Sequence, residues 1–189
     1  MPRIRRLSAL AATAALAAAL ALAAPAAATS VTDPDYPRSL DAEGPVAVSW
    51  ADPAGFTELR YSRNRFEARR GDWVRDLARY IAKRAARELA PGERLEVEIT
   101  DIERAGEFEW AAGRSDHVRV VRDIYPPRIV LNYTLHGSDG EVAGGGEREL
   151  TDLGFLHRSA GTVSMSDALR HEKRLVDDWV RRDLADRGR

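Results

Sequence analysis

The chain of 189 residues contains no cysteine. That absence excludes disulfides, thiolate nucleophiles, cysteine-held metals and a lipid-attachment cysteine, so the folded protein needs stability without covalent staples. Lysine is nearly missing: Lys83 and Lys173 stand among many arginines, which with the alanine richness reads as genome composition. Net charge is also missing. The formal value is −1, which argues against a general nucleic-acid binder.

Local enzyme signatures are absent too. There is no lysine-bearing phosphate loop and no dinucleotide fingerprint. His117, His136, His157 and His171 have no partners at metal-ligand spacing. His171-Glu172 opens like a zinc-protease helix motif, but Leu175 occupies the place of the second histidine. Gly137-Ser138-Asp139-Gly140 lacks the spacing of a serine nucleophile elbow and reads as a hairpin turn. The acidic group Glu96, Glu98, Asp101, Glu103, Glu107 and Glu109 lacks calcium-loop spacing and reads as a solvated strand face plus a loop. No cofactor and no metal are expected.

What is present begins with an export signal over residues 1–28. Arg3, Arg5 and Arg6 form its positive region, residues 7–24 are apolar, and Ala26-Ala27-Ala28 offers small residues for cleavage before Thr29. Loss of the three arginines would take the formal charge from −1 to about −4. After cleavage no segment is left to span a membrane, and a periplasmic or secreted location is expected. Residues 29–45 carry Pro34, Pro37 and Pro45 with little periodicity, as in a flexible lead-in. Residues 46–187 then suit a single domain.

Alternation defines the strands. Val46, Val48 and Trp50 alternate with Ala47 and Ser49; Leu95, Val97 and Ile99 alternate with Glu96, Glu98 and Thr100. Further strands are expected at 118–124, 129–135 and 142–150. A period of two with one polar face is the antiparallel pattern. Asp139-Gly140 suits a two-residue type I′ turn, a register that sets Leu135 opposite Gly144, Tyr133 opposite Gly146 and Ile129 opposite Leu150. Gly144, Gly145 and Gly146 mark a bulge or a close approach of another element. Residues 73–89 carry a helical apolar stripe behind Asp72 as cap, and Pro91-Gly92 stops it. A second helix is expected over 165–184, with Ser164 and Asp167 at its start and Leu169, Val176, Trp179 and Val180 on its apolar face. The expected fold is α+β: an antiparallel sheet of about four to five strands with two helices on one face, a two-layer sandwich in the order strand, helix, strands, helix.

Four stretches carry a resemblance. They are Asp101-Ile102-Glu103-Arg104-Ala105-Gly106-Glu107-Phe108, residues 118–129 with Tyr125-Pro126-Pro127, Glu147-Arg148-Glu149-Leu150-Thr151-Asp152, and Glu172-Lys173-Arg174-Leu175-Val176-Asp177-Asp178-Trp179. Together they resemble a family of exported bacterial proteins known as domain of unknown function 3016. The resemblance spans most of residues 46–184, and the Tyr-Pro-Pro stretch is its most specific part. That family usually has Asp-Leu where this chain has Glu103-Arg104. The resemblance implies export, typically to a Gram-negative periplasm; it implies no activity and supplies no catalytic residues.

Charge is unevenly spread. Residues 58–88 hold ten cationic and five acidic side chains, residues 93–109 seven acidic and two cationic. Either the two segments neutralise each other, or Arg60, Arg63, Arg65, Arg69 and Arg70 form a basic face toward an anionic envelope surface or another envelope protein. Tyr125, Pro126 and Pro127 fix a kink that either is structural or presents a rigid docking edge. The sequence favours a non-enzymatic binding or envelope accessory domain. The alternative is a hydrolase of unfamiliar type built on carboxylates near Asp101, Asp123 or Asp152.

Overall fold

A computed structural model describes residues 29–41, 43–110, 116–158 and 163–185; the expected signal, residues 1–28, lies outside them. Strands β1 (Val46–Trp50), β2 (Arg94–Glu103), β5 (Arg128–His136) and β6 (Val142–Thr151) form one sheet in the order β1-β2-β5-β6. Short strands β3 (Glu107–Phe108) and β4 (Arg119–Val120) form a second, two-stranded sheet. The helices are α1 (Thr57–Tyr61), α2 (Arg65–Ala68), α3 (Trp73–Ala85) and α4 (Arg170–Trp179), the last continuing as a π-helical turn over Val180–Ala185. None of the described helices is long and apolar enough to cross a membrane.

The α+β class holds, but the sheet is mixed and not antiparallel throughout. β1 runs parallel to β2, with Val48 opposite Val97, while β2–β5 and β5–β6 are antiparallel. Three helices lie between β1 and β2, and a connection of that length lets the chain re-enter the sheet in the same direction. The two-layer expectation also left out the β3–β4 sheet. The strand expected at 118–124 shrinks to β4, because Tyr125 N–H donates to the Arg122 carbonyl and turns the chain (3.0 Å).

One sheet face is apolar. Val46, Val48 and Trp50, Leu95, Val97 and Ile99, and Ile129, Leu131, Tyr133 and Leu135 are buried in register. α3 packs on β1, α4 packs on β5 and β6, and the two helices touch. Trp73, Val74, Leu77, Ala78 and Ile81 are the buried stripe of α3; Leu175, Val176 and Trp179 are that of α4. A bulge at Thr100 lets both Ile99 and Ile102 face the core and turns Asp101 toward α1.

The β5–β6 register is the one the sequence implied: Leu135 opposite Gly144, Tyr133 opposite Gly146, Ile129 opposite Leu150. The turn differs. Gly137 N–H donates to the Glu141 carbonyl (2.8 Å), enclosing a three-residue loop in which Gly140 alone has positive φ (85°). The irregularity sits at Ala143, and of the three glycines Gly145 answers a close approach: a Cβ on it would lie 2.6 Å from the Tyr133 carbonyl oxygen.

Residues 30–40 are more firmly held than a flexible lead-in. Val31 and Tyr36 are buried, and Leu40 and Arg38 exchange backbone hydrogen bonds with Val48 and Trp50 at the free edge of β1 (2.9 Å each). Val31 N–H also donates to the Arg69 carbonyl (2.9 Å). Asp72 sits at the start of α3 without capping it directly. Its carboxylate accepts from the Tyr36 hydroxyl (2.7 Å), and that oxygen in turn accepts from Arg75 N–H (3.2 Å).

Candidate functional site: an arginine and aromatic face on the first two helices

The segment after β1 is tied down from beneath. Asp101 accepts from the Thr57 N–H and hydroxyl (2.6 Å each), satisfying the start of α1, and pairs with Arg128. Phe56 and Leu59 enter the core. Asn64 caps α2 by accepting from Glu67 N–H (3.1 Å). With the inner faces used this way, the arginines of the segment point out.

Arg60, Arg63, Arg65, Arg69 and Arg70 are all exposed. Only Arg70 has a carboxylate partner among the described residues, Glu67 at 2.9 Å. Arg65 donates to the Arg60 carbonyl (2.8 Å). Arg60 lies over the Tyr61 ring at 5.3 Å and Arg69 over Phe66 at 5.2 Å. Those rings are themselves exposed, Tyr61 at 68% and Phe66 at 56%. No guanidinium of the five has an ion pair with a carboxylate of residues 93–109 among the described residues; besides Asp101 beneath Thr57, Glu107 bonds the segment, through Ser62 Oγ and Arg63 N–H (3.3 and 3.4 Å). Mutual neutralisation of the two segments therefore does not occupy these arginines. A depression of about 460 Å³ lies between Thr32, Leu59, Arg60, Tyr61, Arg65 and Arg69.

Tyr125, Pro126 and Pro127 lead into β5 and are held by residues 106–109. Pro127 is buried, the Tyr125 carbonyl accepts from Gly106 N–H (3.0 Å), and the Tyr125 hydroxyl donates to Glu109 (3.0 Å). Asn64 Nδ2 donates to the Asp116 carbonyl (3.0 Å) and His117 pairs with Glu67 (3.0 Å), so α2 and the β3–β4 region are joined.

Beneath the face is a buried ionic junction that the sequence did not mark. Glu58, 4% exposed, accepts from Arg104 N–H (3.0 Å) and Arg104 Nη2 (2.8 Å), and also from Arg119. Arg104 stacks on Trp73 at 4.5 Å and Arg119 on Phe108 at 4.6 Å. Burial pushes the Arg119 guanidinium down, opposed by Glu58. Glu172 on α4 accepts from Ala105 N–H (2.6 Å), while its Oε2 has no partner; burial pushes its carboxyl up. The junction pins α1, β2, β3–β4 and α4 together and leaves the arginine face as their outer surface. Spacing along the chain carries no trace of it, because its members come from four elements. The aromatic interleaving, Arg60-Tyr61 and Arg65-Phe66, is the part of the face that adjacency in the sequence carries.

Asp101, Asp123 and Asp152 do not join one another by any hydrogen bond or shared partner among the described residues. Asp101 serves α1 and Arg128, Asp152 accepts from Gly154 N–H (3.0 Å) and Arg158 (3.1 Å), and Asp123 is exposed. Among the described residues no group of three or more histidine and carboxylate side chains is placed to hold a metal. His171 is buried edge-on against Phe155 (4.8 Å), with both ring nitrogens unpartnered.

Neither a curated protein nor a solved structure matches the chain. Residues 44–182 match the family described as Protein of unknown function (DUF3016), a span that takes in every strand and α-helix named above. The chain belongs to that family.

Proposed function

We propose that this protein is exported to the periplasm and acts there as a non-enzymatic binding or accessory domain, with the α1–α2 face as its contact surface for an anionic envelope component. The carrying observation is the set Arg60, Arg63, Arg65 and Arg69, without carboxylate partners among the described residues and interleaved with exposed Tyr61 and Phe66. Arginine matches phosphate and carboxylate geometry, and aromatic rings settle at the apolar boundary of a membrane surface or on a sugar face. The hydrolase reading has less behind it, since Asp101 and Asp152 are already engaged by arginines.

Replacing Arg60, Arg63, Arg65 and Arg69 together by Gln tests the face. The variant is expected to unfold within about 1 kcal/mol of wild type, as exposed charges contribute little. It is also expected to lose retention on phosphatidylglycerol vesicles or anionic glycans. Wild-type retention should fall as salt rises from about 50 to 300 mM. Wild-type protein that ignores both surfaces at low salt would overturn the reading, and an envelope protein would then be the partner to seek. Export is tested separately: protein recovered from the periplasm should begin near Thr29, and an intact Met1 would refute cleavage.

A further inference from the structure

We propose that the cleft between α3 and α4 is a second, separate site, one that binds a multiply charged oxyanion of the phosphate or pyrophosphate class. The cleft measures about 640 Å³, within the range of small-ligand sites. α3 contributes Lys83 and Arg84 to it and the turn after α3 contributes Arg87; Arg158, Arg174 and Arg181 come from the opposite side. Three carboxylates share the cleft, and each is already engaged. Asp178 takes Arg158 and Arg181, Asp177 takes Arg84 (3.0 Å) and the Tyr80 hydroxyl (2.9 Å), and Glu88 takes Arg84 (2.5 Å).

Three cations are left over. Lys83 and Arg87 have no carboxylate partner among the described residues. Arg174 is only 8% exposed, yet it spends Nη1 on the carbonyl oxygens of Phe155 (3.2 Å) and Arg158 (3.4 Å), and its Nε has no partner. Burying a guanidinium that is bonded only to carbonyls is costly unless an anion approaches. Six cations and three carboxylates line the cleft, and Asp152 outside it also takes Arg158 (3.1 Å), which leaves an excess of two positive charges; that suits a divalent oxyanion, and the guanidinium fork suits phosphate oxygens in particular. Burial and the Asp177 bond raise the Tyr80 hydroxyl well above its ordinary range, so it stays a neutral wall of the cleft. None of the α1–α2 residues takes part, so this inference stands apart from the proposed docking face.

The phosphate can come from a soluble molecule or from a lipid headgroup, and the test separates them. Inorganic pyrophosphate is titrated calorimetrically into folded protein at about 50 mM salt, where screening is weak. Saturable binding is expected. Lys83→Ala with Arg87→Ala should weaken it at least tenfold, whereas Arg75→Ala, on α3 but outside the cleft, should not. Retention on phosphatidylglycerol vesicles is then measured with Arg60, Arg63, Arg65 and Arg69 all changed to Gln. Retention there that depends on Lys83 and Arg87 would assign the oxyanion to a headgroup. No saturable pyrophosphate binding together with no such retention would overturn the proposal, as would equal weakening by Arg75→Ala.

Discussion

Trp179 carries the largest fully buried side chain and meets Tyr133 edge-on at 5.5 Å. Trp179→Ala is expected to cost about 3–5 kcal/mol in a urea melt, the range for deleting a buried large aromatic; a loss under about 1 kcal/mol would contradict its burial. Two buried titratable residues in the first turn of α4, His171 and Glu172, act in opposite directions with pH. Burial, helped by Arg170 and Arg174, lowers the folded pKa of His171 from 6.5 to about 4. Between those values the unfolded chain binds more protons, so His171 contributes stability above pH 6.5 that is lost as pH falls toward 4. His171→Phe should flatten that loss relative to wild type. Glu172 is raised above its ordinary value of 4.5, so the folded state binds more protons and the side chain costs stability as pH rises past that point. Glu172→Gln should therefore gain on wild type as pH goes from about 5 to 8. Melting temperatures across that range check both signs.

Among the elements, the β5–β6 hairpin offers the sharpest contrast. A Cβ on Gly145 meets the backbone of Tyr133 at 2.6 Å, whereas one on Gly144 meets nothing within 4 Å and Gly144 has ordinary φ. Gly145→Ala should destabilise by about 1–3 kcal/mol through forced separation of the strands. Gly144→Ala should be neutral or stabilise by up to about 1 kcal/mol through the unfolded chain. Equal effects would mean the pairing is not tight. Hairpin register was legible in the sequence because it is local: alternation on both arms and a glycine at the reversal leave few ways to close. The helix starts were less legible. α4 begins at Arg170 and not near 165, since the Asp167 carboxylate is committed to Leu169 N–H (2.8 Å) and Lys173 (2.5 Å).

At the scale of the molecule, residues 30–40 act as a strap across β1 and the end of α2. A chain beginning at Val46 is expected to be less stable than one beginning at Thr29 by roughly 3 kcal/mol or more, since Val31 and Tyr36 each bury a large side chain. Denaturant midpoints of the two chains decide it. By itself the sequence determined the α+β class, the two main apolar helical stripes, the β5–β6 register and the exclusion of cysteine chemistry. Each follows from short-range periodicity or from residue type alone. Tertiary structure alone decided the parallel β1–β2 pairing, the burial of Glu58 and Glu172 with Arg104 and Arg119, the strap, and which arginines are left without carboxylates. These depend on which groups meet across separations such as 46, 61 and 67 residues of chain, and a charge reads the same in sequence whether it is paired, buried or bare.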